Sequence, residues 1–361
     1  MEKTSIDPVR VLVVDDSALV RHILVRGLSQ DRRIKVVGQA SNPYQARDLL
    51  VELEPDVITL DVEMPRMNGV EFLRRFMPVA PTPTVMISSL TQQGTQLSLD
   101  ALAAGAVDVI GKPTIGLADG WPLQMQEICD RVHAAGRTRL RQCARPGIPA
   151  PPRPQPQPLT APDDGASGLI CIGCSTGGVE ALSRILPMFP AGCPPILVVQ
   201  HMPAGFTAPF ARRLDSLCQI GVREAVDGDD LVPGIALIAP GGLRHMALEK
   251  TRTRPKVRLV EGAPVKYSRP AVDVLFHSAA RLPSLGLRAA LLTGMGKDGA
   301  EGLLAIRQAG GRTCAQDEAS SVVFGMPGAA VTIGAAQAVL PLDQVPAFLL
   351  SRIGVAAARN G

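Results

Sequence analysis

The sequence runs to 361 residues, more than one hydrophobic core usually supports, so two domains with connecting material are expected. Hydrophobic residues make up 46% and charged residues 19%, which excludes wholesale disorder, and aromatics at 3% leave the cores to aliphatic side chains. A net charge of +4 over this length makes no case for a nucleic-acid partner.

Seven cysteines are an odd number, and the spacing Cys171-x-x-Cys174 is not repeated as a zinc site would require. Packing beside an apolar strand in a reducing compartment is the expected role of both. The opening MEKTSIDPVR meets an apolar run at Val11 that Asp15 and Asp16 stop, so no signal-peptide core forms. Residues 319–342 are uncharged and long enough to span a bilayer, but three glycines, two prolines and several polar side chains fit a loop, a short helix and a strand better. A cytoplasmic protein without membrane insertion is expected.

From Val9 short apolar runs alternate with amphipathic stretches: VRVLVV then ALVRHILVRGL, IKVVGQA then YQARDLLVEL, DVITLD then GVEFLRRF, TVMIS then GTQLSLDALAAG, VDVIGK then a last stretch near 124–132. Five strand-helix units imply an α/β fold, a five-stranded parallel sheet wound on both faces by helices, with any ligand beyond the carboxyl ends of the strands. This first domain is assigned to residues 1–130.

Residues 131–166 break the pattern and read as a linker. Arg131, Arg137, Arg139, Arg141, Arg145 and Arg153 stand there without an opposing acid, and prolines crowd the segment after Arg145. The PQPQP section reads as extended chain, and the arginine part as a continuation of the preceding helix, a solvated spacer or a docking segment for an acidic partner.

At Gly168 the alternation restarts with LICIG, VEALSRILPMF, PILVVQ and FTAPFARRLDSL, so a second α/β domain is assigned to residues 167–357. Its middle, 222–260, is rich in β-branched residues and turn signals such as DGDD and PGG, which predicts some antiparallel pairing within a Rossmann-like fold.

In the first domain Asp15 and Asp16 follow the first strand and Asp61 ends the third, so three carboxylates converge at one sheet edge. Three negative charges there call for a cation, and an all-oxygen set suits Mg²⁺. Lys112 after the fifth strand brings an ammonium to the same edge, and Ser88 at the end of the fourth a hydroxyl. Any one aspartate alone fits a helix cap equally well. Taken together, DDS, LDVEMPRMNG, ISS and GKP at four strand ends resemble the receiver domain of bacterial response regulators over about 120 residues. The resemblance implies that Asp61 takes a phosphoryl group from a histidine kinase, that Asp15 and Asp16 bind Mg²⁺ with Asp61, that Lys112 pairs with the phosphoryl group and that Ser88 is the switch hydroxyl. Val109 departs from it, standing where the family often carries an aromatic ring.

In the second domain ICIGCSTGG sets Gly173-Cys174-Ser175-Thr176-Gly177 between a strand and a helix, the G-x-S-x-G context of an exposed nucleophilic serine. A glycine-rich anion-binding turn is the alternative. A serine nucleophile needs a base and an acid to orient it. His22 and His133 lie in or next to the first domain, leaving His201, His245 and His277; His201 follows PILVVQ at the same sheet edge as Ser175 and is favoured, while the other two fit structural or substrate-contact roles. In TGMGKDG, Asp298 follows the strand LRAALL beyond Gly294 and Gly296, which would let backbone amides such as that of Met295 approach. The chain order Ser, His, Asp differs from the Ser, Asp, His of α/β-hydrolases and disfavours that fold.

The segments GCSTGG, QHMPAGFTAPFARRL, APGG, SRPAVDVLFHSAA, TGMGKDGAEGL and AQDEASSVVFGMP resemble the catalytic domain of the CheB chemotaxis protein-glutamate methylesterases. The resemblance implies a triad of Ser175, His201 and Asp298, and oxyanion contacts at Thr176 and Met295. It also implies phosphorylation-activated hydrolysis of glutamate γ-methyl esters on methyl-accepting chemoreceptors with release of methanol, and deamidation of receptor glutamines, with no cofactor for the esterase chemistry. A DNA-binding response regulator would instead carry a small helical output domain with a basic recognition helix, and a scaffold without chemistry would not need all three triad residues.

Overall fold

Five apolar runs in the first third become strands β1 (Val9–Val14), β2 (Ile34–Ala40), β3 (Val57–Asp61), β4 (Thr84–Ser88) and β5 (Asp108–Gly111). They form one sheet in the order β2-β1-β3-β4-β5 with every pair parallel. The computed structural model describes residues 7–89, 91–112, 121–138 and 168–351, and these divide into two compact units. In VRVLVV only Arg10 is exposed, as expected for a strand covered on both faces. The crossovers are α1 (Ala18–Leu28), α2 (Pro43–Leu53), α3 (Gly69–Phe76) and α4 (Gln92–Ala103), and α5 (Trp121–Gly136) closes the unit. Their starts follow local chemistry: Ser17, Asn42, Asn68 and Thr91 each accept a hydrogen bond from an amide of the first helical turn.

The helix α5 continues to Gly136, past the boundary expected at residue 130. Arg131, read from the sequence as an unopposed linker charge, is buried. Its Nη1 donates to Val109 O at 2.9 Å and lies 3.5 Å from Asp108 Oδ1, and its Nε lies 3.3 Å from Glu127 Oε1. Most of the expected linker, including Arg139, Arg141, Arg145 and Arg153, lies outside the described residues.

The second unit is built on β6 (Leu169–Cys174), β7 (Ile196–Gln200), β8 (Gly221–Glu224), β9 (Ile235–Ile238), β12 (Leu287–Leu291), β13 (Arg312–Gln316) and β14 (Ala338–Leu340). The seven form a parallel sheet in the order β14-β13-β12-β6-β7-β9-β8. The antiparallel pairing expected in the middle is confined to β10 (Arg244–Glu249) and β11 (Lys256–Glu261), a separate two-stranded ribbon, while β8 and β9 pair in parallel. Helices α6 (Gly178–Ile185), α7 (Thr207–Asp215), α8 (Val272–Ala280), α9 (Ala300–Gln308), α10 (Met326–Thr332) and α11 (Val345–Leu350) complete the alternation. Phe276, Leu275, Val272 and Leu303 pack with Leu291, Leu287 and Leu197 in one apolar cluster, where each fully buried side chain contributes about 1.5–3 kcal/mol.

Cys171 and Cys174 are buried in β6 as free thiols, and burial pushes the Cys171 thiol up to about 12 and raises Cys174 as well, so both are inert packing groups. The uncharged stretch 319–342 resolves into a loop, α10 and β14, and no helix among the described residues is long and apolar enough to cross a membrane.

The chain leaves β6 for β7 on one side and returns to β12 on the other, so β6 lies at the point where the strand order reverses. A crevice opens at the carboxyl end of a parallel sheet at such a point. Ser175, His201 and Asp298 follow these three strands.

Candidate functional site

Ser175 stands one residue beyond β6, its amide donating to Thr293 O at 3.0 Å. The chain then turns through Gly177 at φ +79°, a left-handed conformation that glycine adopts without strain, and enters α6. His201 follows β7, with its amide extending the β6–β7 ladder to Cys174 O at 3.1 Å. Both side chains are largely buried, Ser175 at 5% and His201 at 9% exposure.

Asp298 joins them from the loop after β12. Its Oδ2 accepts the His201 Nε2 proton at 2.8 Å and the amide of Val272 at 2.7 Å, while Oδ1 accepts the amide of Asp273 at 3.0 Å. Burial raises the Asp298 carboxyl, but the imidazole bond, the imidazole charge and the two amides outweigh it and hold the group below its ordinary value. An ionised acid against Nε2 fixes the ring and its tautomer. The other nitrogen, Nδ1, then acts as an acceptor and faces Ser268 Oγ at 3.3 Å. Ser175 Oγ makes no hydrogen bond with either ring nitrogen among the described residues; such contacts are often long before substrate binds.

Of the two expected oxyanion contributors, Thr176 is buried and its carbonyl is held by Thr293 Oγ1 at 2.9 Å. Met295 is half-buried and follows Gly294, whose backbone passes so close to Ser175 that a Cβ there would lie 2.8 Å from Ser175 Cβ and 3.1 Å from its nitrogen. The other two histidines stand apart. His245 Nε2 donates to Ala263 O at 3.0 Å and its Nδ1 accepts the amide of Ala271 at 3.1 Å, a satisfied structural imidazole, and His277 is exposed on α8.

In the first unit Asp15, Asp16 and Asp61 present carboxylate oxygens within 4.8 Å of one another. Lys112 Nζ donates to Asp61 Oδ2 at 2.7 Å and approaches Asp15 Oδ2 at 3.2 Å. The second approach is an ion-pair distance without hydrogen-bond geometry, so Asp15 Oδ2 is a buried oxygen with no hydrogen-bond partner. Burial raises the Asp61 carboxyl to about 7, reinforced by Asp15, against the opposing pull of Lys112. A site of pure carboxylate oxygen, short of positive charge and holding an unsatisfied buried oxygen, fits a hard divalent cation such as Mg²⁺. Ser88 Oγ donates to Ser89 O at 3.1 Å and Gly94 O at 3.2 Å, so its hydroxyl is engaged by the start of α4 rather than by the carboxylates.

Comparison with known proteins agrees with both halves. The CheB methylesterase model matches residues 170–349 and the response regulator receiver domain model residues 11–116. A protein-glutamate methylesterase/protein-glutamine glutaminase of Cereibacter sphaeroides is 56% identical over 341 residues, 94% of this chain and 91% of its own length. The chain belongs to the CheB methylesterase family. A relative of the same name from Syntrophotalea carbinolica is 50% identical over 93% of this chain and 95% of its own. The crystal structure of the Thermotoga maritima CheB methylesterase catalytic domain is 39% identical, covering 51% of this chain and 97% of that one at a TM-score of 0.49.

Motif reading in this CheB-family chain missed three groups that the geometry gathers around the serine site. Ser268 reaches Nδ1 of His201 from the SRP segment, Lys266 Nζ donates to Asp273 Oδ2 at 2.6 Å behind Asp298, and Thr293 Oγ1 joins Thr176 O to the amide of Val323. Ser268 and Lys266 lie in or beside a segment the resemblance already marks, but nothing in their spacing shows that they turn toward His201 and Asp298.

Proposed function

We propose that the chain hydrolyses glutamate γ-methyl esters on methyl-accepting chemoreceptors and deamidates receptor glutamines, and that phosphorylation of Asp61 by a chemotaxis histidine kinase raises this activity. The observation that carries the reading is the His201–Asp298 hydrogen bond at 2.8 Å beside Ser175, three residues delivered by adjacent strands to one switch-point crevice.

In this reading Ser175 Oγ attacks the ester carbonyl, and its proton passes to Nδ1 of His201, the nitrogen that Asp298 leaves as an acceptor. Negative charge gathers on the carbonyl oxygen, where the amides of Thr176 and Met295 are the proposed donors. The C–O bond to the methoxy group breaks, the imidazolium returns the proton, and methanol leaves. Water then attacks the acyl-serine by the same route in reverse, giving glutamate and free Ser175. A glutamine side chain enters the same cycle with ammonia as the leaving group.

In the receiver half, Asp61 would accept the phosphoryl group, with Lys112 balancing the added charge and Asp15, Asp16 and Asp61 holding Mg²⁺. The cation would offset the charge that carboxylates and phosphoryl oxygens bring together. The receiver is taken to end with α5 and the esterase domain to span 167–357, joined by the linker, with the whole enzyme in the cytoplasm beside its kinase and receptors.

The test is methanol release from methyl-labelled chemoreceptor membranes, with and without a small phosphodonor and Mg²⁺. Release that rises with the phosphodonor, disappears in Ser175→Ala and loses its stimulation in Asp61→Asn is the expected result. No release from a matched set of receptors would remove the esterase assignment.

A further inference from the structure

Gln200, the last residue of β7, is 2% exposed and its carboxamide lies under the nucleophile's turn. Its Nε2 donates to Ser175 O at 3.0 Å and to His201 O at 3.1 Å. Two carbonyl oxygens on one nitrogen settle which end of the amide is which. The other end, Oε1, is buried without a hydrogen-bond partner, a loss that costs about 1–3 kcal/mol. An apolar side chain of the same shape would avoid that cost, so packing alone gives no reason for glutamine here. Gly178 makes room for it, since a Cβ on that residue would lie 2.0 Å from Gln200 Oε1.

The two bonds have different consequences. Ser175 O is gripped from one side by Gln200 Nε2 and by the amide of Gly178 at 2.7 Å. The Ser175–Thr176 peptide is planar and trans, so its N–H points opposite to its C=O. Fixing Ser175 O therefore fixes the direction of the Thr176 N–H. The bond to His201 O ties the backbone of the base to the same carboxamide, beyond the point where the β6–β7 ladder ends at His201 N to Cys174 O.

We infer that Gln200 is a positioning residue that aims the Thr176 amide at the developing oxyanion and holds Ser175 and His201 in one frame. This rests on the serine-hydrolase reading above but not on the identity of the substrate. Gln200 touches no reacting atom, so its loss lowers the rate of the covalent step and leaves ground-state binding intact.

The experiment uses the full-length protein in two assays. The first is receptor methyl-ester hydrolysis with kcat and KM separated. The second is phosphonylation by a fluorophosphonate, in which the Ser175 Oγ–P bond forms, the P–F bond breaks, fluoride leaves and the serine proton goes to His201. Phosphonylation reads Ser175 activation without any receptor, so wild-type labelling without ester hydrolysis would sink the methylesterase reading alone. In Gln200→Met, kcat and the phosphonylation rate should fall together by about tenfold to a hundredfold. KM should stay within about twofold, and the pH midpoint of kcat/KM should not move. Gly178→Ala leaves the glutamine in place but displaces its carboxamide, and should show the same pattern; it carries the test if Gln200→Met does not fold. A folded variant of either kind that keeps wild-type kcat and phosphonylation rate overturns the proposal, as does a loss confined to KM.

Discussion

Asp298 caps the helix that begins at Val272: the carboxylate bonded to His201 Nε2 also accepts the amides of Val272 and Asp273, and no side chain within α8 does that work. Helix N-terminal amides carry partial positive charge, so α8 stabilises the ionised acid. Asp298→Asn should separate the two roles. The amide's single oxygen can still accept from one of the two helix amides, but the group presents an unsuitable partner to the imidazole, so ester hydrolysis should fall by roughly 10³–10⁴-fold with a smaller loss of stability than full truncation causes. Asp298→Ala should lose as much activity and, in addition, about 1–2 kcal/mol of stability. Equal melting curves for the two variants would show that the cap contributes nothing.

The same carboxylate fixes a pH dependence. Asp298 has a folded-state pKa below its unfolded value of about 3.9, so its contribution to stability is present above that value and is lost as pH falls through the lower folded value. Its neighbour Asp273 is raised, chiefly by burial and despite Lys266, and so opposes folding increasingly as pH rises from about 4 through its higher folded value. Comparing wild type with Asp298→Asn isolates the first effect. The stability difference should hold steady from pH 7 to about 5 and shrink below about 4, measured by urea denaturation across that range.

Gly294 lies where the backbone closes on Ser175. A methyl group there would lie 2.4 Å from Met326 Sδ, 2.8 Å from Ser175 Cβ and 3.1 Å from Ser175 N. The methionine can yield, but Ser175 is held by the hydrogen bond that its amide donates to Thr293 O. Gly294→Ala should therefore displace Ser175 relative to His201 and lower kcat by about a hundredfold while the protein stays folded. Wild-type turnover would mean that the loop after β12 shifts without consequence for the serine.

The acidic edge of the receiver predicts a response to Mg²⁺ that needs no phosphodonor. Lys112 pairs with two of the three clustered carboxylates, those of Asp15 and Asp61, and Asp15 Oδ2 lacks a hydrogen bond. Adding millimolar Mg²⁺ to the full-length protein should raise the melting temperature of its receiver transition, because a ligand that binds only the folded state stabilises it. Asp61→Asn should raise that transition without Mg²⁺ and blunt the gain from adding it. Identical shifts in wild type and Asp61→Asn would show that this cluster is not the cation site.

The strands and helices of both units were readable because buried parallel strands appear as apolar runs separated by amphipathic stretches, and the motif residues could be placed because ligands gather at strand ends. What the sequence concealed was the direction in which polar side chains turn. His201 could be favoured among three histidines, but its double contact with Asp298 and Ser268 depends on loops that meet only in the folded chain. Ser88, expected to add a hydroxyl to the acidic edge, instead bonds to Ser89 O and Gly94 O. Arg131 shows the effect most clearly, because counting charges without partners grouped it with the linker arginines, whereas α5 carries it into the receiver beside Asp108 and Val109 O.

That burial makes Arg131 a stability residue. It is 6% exposed, and its guanidinium bridges the start of β5 to α5 through Val109 O and Asp108, with Glu127 one turn earlier on the same helix. Removing one partner of a buried pair leaves the other desolvated, so Arg131→Ala should destabilise the receiver by about 3 kcal/mol. Arg131→Met keeps the side-chain volume and should recover part of the packing but not the bond to Val109 O, placing its loss nearer 1–2 kcal/mol. Arg137, one residue past the end of α5, serves as the control. Arg137→Ala should fall within about 0.5 kcal/mol of wild type in the same denaturation experiment, as surface changes usually do. Matching small losses at positions 131 and 137 would return Arg131 to the solvated segment where charge counting first put it.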